Sequence, residues 1–258
     1  MRVRQVAIAA PVLEPVVEDL RAVLDLEVCF HDPGVEVFGL RNALLPVGDT
    51  FLEVLAPIRP NTAVGRFLDR SGPGVYMVIL QTDDLALDRE RIAKLGVRVV
   101  WEAALPGIAT IHLHPRDVGA ALVSLDEARP PDSWRWAGPS WREHIRTGCV
   151  QRVLAVEVAA VEPAATAERW SQVLGRATRQ NRDGSWAIPL DGSSIGFGPS
   201  PRGQGDGVRA LDLASTEEGR AAALASAQAR GLATGDGELS IGGTWLRLRS
   251  LPDRRAVR

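Results

Sequence analysis

Residues 43–85 read ALLPVGDTFLEVLAPIRPNTAVGRFLDRSGPGVYMVILQTDDL. A strand ends at Pro46, and Gly48-Asp49 supplies a hairpin turn. The next strand, 51–55, places Phe51, Glu53 and Leu55 on one face, because side chains alternate along a strand. A polar, proline-containing segment leads to Gly72-Pro73-Gly74 and a further apolar strand, 75–82. An unpaired carboxylate is costly to bury, so an acid between Phe51 and Leu55 marks Glu53 as a candidate functional residue. The plainer reading is a strand whose polar face is wet.

Outward from this stretch the chain repeats itself. Before it come a strand at 3–10, an amphipathic helix at 14–24, and short strands near 27–31 and 34–40. After Gly74 the order recurs as strand 75–82, helix 85–95 stopped by Gly96, and strands 97–101, 108–114 and 120–125. A third pass has a strand at 153–158, a helix opening at Glu162-Pro163, and strands at 186–190 and 194–198. The fourth has a strand at 207–213, an Ala-rich helix at 217–230, and strands at 238–241 and 244–249. Four β-α-β-β-β passes of comparable length are an internal repeat. Between the second and third, residues 126–148 carry three prolines and the tryptophans Trp134, Trp136 and Trp141, with no helical or strand period. This connector either anchors itself by burying tryptophan or forms a lid over a pocket.

Composition narrows the class. The chain has 258 residues, 45% hydrophobic and 24% charged, as in a soluble globular protein. A net charge of −2 with no basic block gives no argument for nucleic acid. No apolar run reaches the roughly 20 residues needed to span a bilayer. MRVRQVAIAAPVLEP reads as a first strand rather than a signal peptide. Cys29 and Cys149 form no CxxC, and in a cytoplasmic protein they are expected to be reduced and structural.

The segments LLPVGDTFLEVL, GPGVYMVIL followed by DDL, and LHPRDVGAALVSL resemble methylmalonyl-CoA epimerase, over about the first 127 residues. That family belongs to the vicinal-oxygen-chelate superfamily, with glyoxalase I, bleomycin-resistance proteins and extradiol dioxygenases. The resemblance implies an α+β fold of four βαβββ modules forming two paired eight-stranded glyoxalase-like domains. The expected division is a ligand-cup domain at 1–127, a Pro/Trp-rich linker at 128–149 and a degenerate second domain at 150–258. It also implies a divalent metal (Zn, Mn, Co, Ni or Fe) at the base of the cup.

The family's four ligand positions fall, in this sequence, at Gln5, Glu53, Met77 and Ser124. Gln and Glu offer hard oxygen ligands. A thioether and a serine hydroxyl are poor ones, so any metal is expected to sit weakly on Gln5 and Glu53. Epimerisation needs an acid and a base flanking the carbon acid, and Ser124 removes one candidate. Authentic epimerase chemistry is therefore not expected. Glu36, on an expected strand before the hairpin, lies near another family glutamate. His112 and His114, two apart on an expected strand, share a face and could serve as acid/base or pocket-lining groups. Glu53, Glu36 and His114 are thus the catalytic candidates; Gln5, Met77, His112 and Ser124 are the substrate-binding ones.

In the second half the ligand positions fall at Val153, a glycine near 196, Ala210 and Arg247, so no metal is expected there. Residues 192–196 match G-x-S-x-G, but no helix can follow Pro199-Ser200-Pro201. The Gly-rich stretch 203–207 lacks the Walker lysine and the dinucleotide fingerprint, and reads as a loop. The expected function is binding, and possibly transforming, a small organic molecule in the Gln5/Glu53 cup by a monomer or homodimer. The competing readings are a metal-free sequestering protein of the bleomycin-resistance kind and an interaction module without a small-molecule site.

Overall fold

The hairpin read from the sequence is present and sits inside a larger curved sheet. The computed structural model describes residues 1–233 and 237–250. Its first half places β1 (Arg2–Ala9), β2 (Leu40–Val47), β3 (Thr50–Pro57), β4 (Gly74–Gln81), β5 (Val99–Leu105), β6 (Ile108–Leu113) and β7 (Leu122–Ala128) in one sheet. The strand order is β2-β3-β1-β4-β7-β6-β5. The second half repeats the arrangement with β8 (Val150–Ala160), β9 (Arg179–Gln180), β10 (Trp186–Leu190), β11 (Ser193–Pro199), β12 (Gly207–Ser215), β13 (Glu238–Ile241) and β14 (Thr244–Ser250). Its order is β13-β14-β12-β8-β11-β10-β9. In each sheet the first strands of two modules pair antiparallel at the centre, β1 with β4 and β8 with β12.

Each sheet therefore has seven described strands where eight were expected. The outermost position shrinks to a single bridge in both, Phe30 to Leu44 in one and Ala233 to Leu239 in the other. Residues 34–38, expected as a strand, form instead a 3-10 turn, Pro33–Phe38, capped by the Asp32 carboxylate on Gly34 N. Proline supplies a fixed φ at the first position of that turn and no donor for a ladder.

Helices α1 (Leu13–Leu24), α3 (Leu85–Lys94), α5 (Pro163–Leu174) and α6 (Glu217–Ala229) fall where periodicity put them. Two more were not anticipated. Helix α2 (Ala63–Ser71) forms in the segment read as a polar connector, because Thr62 accepts from Gly65 N and starts it. The short α4 (Pro115–Val118) follows β6. No helix among the described residues is long and apolar enough to cross a membrane.

Alternate residues of β1, β3 and β4, offset by the register shifts between β1 and β4, enter one continuous core that both sheets share. It includes Val6, Ile8, Leu52, Val54, Val78 and Leu80 with Val156, Val158, Leu211 and Leu213. Helix α1 packs on α6, and α3 and α4 pack on α5, so helices that cover each sheet also join the two halves. Hairpin turns complete the seam. A Cβ on Gly48 would lie 2.3 Å from the carbonyl oxygen of Gln151, and one on Gly243 would lie 2.1 Å from that of Pro73.

The concave face of the first sheet carries a second apolar cluster, Ala7, Phe51, Leu55, Met77 and Ile79, closed by Trp134, Ala137 and Trp141 of the connector. The connector is thus anchored by its tryptophans, and it is anchored inside the cup.

Gly219 tests the seam. A Cβ there would meet Cys149 Cα and O at 2.6 Å and Gly148 O at 2.7 Å. These are backbone atoms with no rotamer to give way. Gly219→Ala is expected to destabilise the protein by about 1–3 kcal/mol, read as a lower denaturation midpoint at unchanged m-value.

Candidate active site in the first sheet

β1 carries a register shift between Val3 and Gln5, and beyond it Val6 and Ile8 face the shared core while Gln5 and Ala7 face the cup. Cross-strand register then aligns the site in two rows. One runs Phe51, Gln5, Ile79, Ser124, His112 and Trp101. The other runs Glu53, Ala7, Met77 and Leu122. Gln5, Glu53, Met77, Ser124 and His112 are therefore brought to one concave surface.

Glu53 is 5% exposed and fully bonded. Its Oε2 accepts from Gln5 Nε2 at 2.8 Å and its Oε1 from Asn42 Nδ2 at 2.6 Å. Asn42 is itself oriented by the amide of Asp32, which donates to its Oδ1 at 2.8 Å. Gln5 is oriented from above, because Trp134 Nε1 donates to its Oε1 at 2.8 Å. Burial pushes the Glu53 carboxyl up to about 7, against the bonds from Asn42 and Gln5 that favour the anion.

A second buried carboxylate lies on the other half of the sheet. Asp126, at the end of β7, accepts from Thr110 Oγ1 at 2.9 Å, from Ser124 Oγ, and from Trp136 Nε1 at 2.7 Å. Burial raises it to about 6, opposed by those three bonds. Sequence reasoning missed Asp126, although it stands two residues after Ser124 on the same strand face. It also missed Asn42 and Arg4, which stand beside other polar residues, Arg41 and Gln5, near the start of their strands. The Glu53 and Asp126 networks both end on a connector tryptophan.

Two catalytic candidates lie elsewhere. Glu36 is exposed on the 3-10 turn rather than on a strand. β6 stops at Leu113, so His114 does not share a strand face with His112. Its ring caps α4 by accepting from Arg116 N at 3.1 Å, beside Arg98 and Asp117. Pro115 ends the ladder there. His112 packs on Trp101 with centroids 4.5 Å apart, and Trp101 meets Phe38 edge-on at 5.2 Å. Burial lowers the His112 pKa to about 4, which leaves the ring neutral at pH 7.

The donors do not suit a divalent metal. Gln5 Oε1 is taken by Trp134, Ser124 donates to Asp126, and Met77 offers only a soft sulfur. Among the described residues no three His, Cys, Asp or Glu side chains converge on one point.

In the second sheet the corresponding positions are Ala155, Gly196, Ala210 and Arg247, by the same cross-strand alignment. Val153, expected there, belongs to the shared core, because a register shift follows it in β8. The carboxylate of Glu157 overhangs Gly196, where a Cβ would come within 2.3 Å of it. Burial raises its pKa, as does Asp212, while Arg247 and Arg249 oppose. Residues 192–196 span the β10–β11 hairpin, so the G-x-S-x-G match is not a strand-to-helix elbow.

Residues 6–174 match the Glyoxalase-like domain family. The chain belongs to that family. Mouse mitochondrial methylmalonyl-CoA epimerase is 29% identical over 131 residues, 49% of this chain and 73% of that protein. A structure of Streptomyces coelicolor methylmalonyl-CoA epimerase in complex with 2-nitronate-propionyl-CoA is 31% identical, with a TM-score of 0.45 over 50% of this chain and 97% of that one. A hypothetical protein from Staphylococcus aureus, 13% identical, aligns with a TM-score of 0.66 over 96% of this chain and 99% of its own. That last likeness extends the fold assignment to both halves of this glyoxalase-like protein.

The pKa of Glu53 sets a pH dependence. Below the ordinary carboxylate pKa, near 4.5, folded and unfolded chains both hold the proton and its contribution to stability is complete. Between there and about 7 only the folded chain retains the proton, so stability falls as pH rises through that window. The slope is at most about 1.4 kcal/mol per pH unit. Glu53→Gln is expected to flatten this part of the curve, measured by urea denaturation at pH 5, 6, 7 and 8.

Proposed function

We propose that this glyoxalase-like protein binds a small organic molecule in the cup of its first sheet and moves a proton on it. Glu53 is the exchanging group and Asp126, on the other half of the sheet, the second acid. The observation that carries this reading is the pair of buried, hydrogen-bonded carboxylates on the two halves of one sheet, each with its pKa raised by burial. Isomerase-type chemistry at a carbon acid needs such a pair, each able to gain or lose a proton near the working pH. Gln5 and Asn42 position Glu53, and Met77, Ser124 and His112 line the ligand's place. Glu36 and His114 take no part. The epimerase names among the relatives and their complexes with acyl-CoA esters support the reaction type, not the substrate.

In this reading residues 1–127 form the ligand-cup domain and 150–258 serve mainly as its structural partner. Residues 128–149 are a lid whose Trp134 and Trp136 occupy the cup until a ligand displaces them. A second reading, metal-free sequestration without turnover, is favoured by the apolar filling of the cup around Met77 and Ile79.

Thermal-shift screening of small organic molecules separates these from a protein with no small-molecule site, because a bound ligand raises apparent stability. Ligands of the cup are expected to lose affinity in Glu53→Gln and to gain it in Trp134→Ala, where the stopper is cut back. Hits indifferent to both changes would place the site elsewhere. Catalysis is read by solvent-deuterium incorporation into a bound ligand, absent under the sequestering reading.

Methylmalonyl-CoA itself is not expected to exchange at an enzyme-like rate. Loss of a stabiliser of the developing anion costs about a hundred- to a thousandfold, and Met77 and Ser124 stand where the family's His and Glu should be. Exchange at about one turnover per second or faster, with Co or Mn supplied, would show the present groups to be sufficient.

A further inference from the structure

Away from the cup base, a pocket of about 550 Å³ opens beside the start of β1, between the connector and the second sheet. Most charges on its wall are matched. Arg2 pairs with Asp49, Arg142 with Asp132 at 3.0 Å, and the amino group of Met1 with Asp191 at 2.8 Å and Asp83 at 3.3 Å.

Arg4 is the exception. Its side chain is 1% exposed, and its Nε and Nη2 have no hydrogen-bond partner. The carboxylate that faces it, Asp49 Oδ2, is 3.7 Å from Nη1 and is already bonded to Arg2. Three rings surround the guanidinium, Trp134 at 5.3 Å and Phe51 and Trp141 at 5.5 Å. Their faces offset part of the charge, but a π face does not replace an acceptor in the guanidinium plane. Donors left unmade on a buried charge are expensive, and Arg4 lies at the wall of a cavity of ligand-site size.

We propose that Arg4 is the docking group of an anion site in this pocket, and that its ligand is a compact carboxylate. The unpartnered Nε–Nη2 edge is the fork that takes two carboxylate oxygens side by side. The wall's four acids, Asp49, Asp83, Asp132 and Asp191, equal its four cations in number, but none of them bonds the Nε–Nη2 edge, so it is the geometry of the fork rather than net charge that selects a carboxylate. Trp141 is the movable wall. Its ring lines the pocket, lies edge-on to Phe51 at 5.0 Å and carries the Arg142 guanidinium at 4.4 Å. A ligand reaches the covered edge of Arg4 by displacing that ring. The site shares Trp141 with the apolar cluster of the cup, but it uses none of Glu53, Asp126 and His112, none of which lines this pocket.

The test titrates the full chain with sodium acetate and sodium benzoate against sodium chloride at matched ionic strength, following Tm and tryptophan emission. Both carboxylates are expected to raise Tm saturably and to shift the emission, while chloride does neither. Arg4→Lys, which keeps the charge but loses the fork, is expected to weaken the apparent Kd at least about tenfold. Arg4→Met is expected to fold, since an apolar side chain often replaces a poorly paired buried charge without loss, and to abolish the response. Equal affinity in wild type and Arg4→Lys overturns the proposal, as does a wild type that answers carboxylate no differently from chloride. Should Arg4→Met fail to fold, Arg4→Lys alone decides.

Discussion

The cup depends on one buried chain of hydrogen bonds, from Trp134 to Gln5 to Glu53, with Asn42 closing it from the other side. A carboxylate at the centre of a sheet is tolerated only if its oxygens are bonded or its charge is given up. Here both happen: two amides hold it, and its pKa rises toward neutrality. The constraint reaches far along the chain. Asn42 must be held by the backbone of Asp32, and Gln5 by a tryptophan 129 residues later. Removing any member leaves a buried polar atom without its partner, which costs about 1–3 kcal/mol.

The same logic explains the connector. Its tryptophans bring apolar surface to a concave face that would otherwise expose Phe51, Met77 and Ile79, and an indole N–H to each buried polar network. A linker that only joined two sheets would need neither. The segment satisfies the two networks and covers the cluster. For a ligand in the cup, as proposed, affinity would be the difference between its contacts and those of the connector rather than the sum of one set.

The two sheets share one core but not one chemistry. In the first, the positions at the cup base hold Gln, Glu, Met and Ser; in the second, Ala, Gly, Ala and Arg. The convex faces could not diverge in this way, because each is packed under the helices of its own half, which in turn pack on those of the other. Packing fixes the outer faces and leaves the concave ones free to vary.

Local pattern is enough to place the four modules, the helices that close with Gly96, Gly175 and Gly231, and the hairpin around Gly48. These are set by local periodicity and by turns that need a positive φ, as at Gly48 and Gly96. Pattern also marks Glu53 as out of place on an apolar face, while the grouping of Gln5, Met77 and Ser124 with it is implied by the resemblance to the epimerases. Tertiary structure alone decided the rest. Val153 gave way to Ala155 because a register shift inside β8 reverses which side chains face the core. His114 left the cup because the strand ended one residue early at a proline. Asp126, Asn42 and Arg4 acquired their roles from partners on other strands and on the connector, at separations that no local pattern encodes. Whether a buried polar residue is satisfied, neutral or left with open donors depends on what the fold brings to it, and that is not written in its neighbours along the chain.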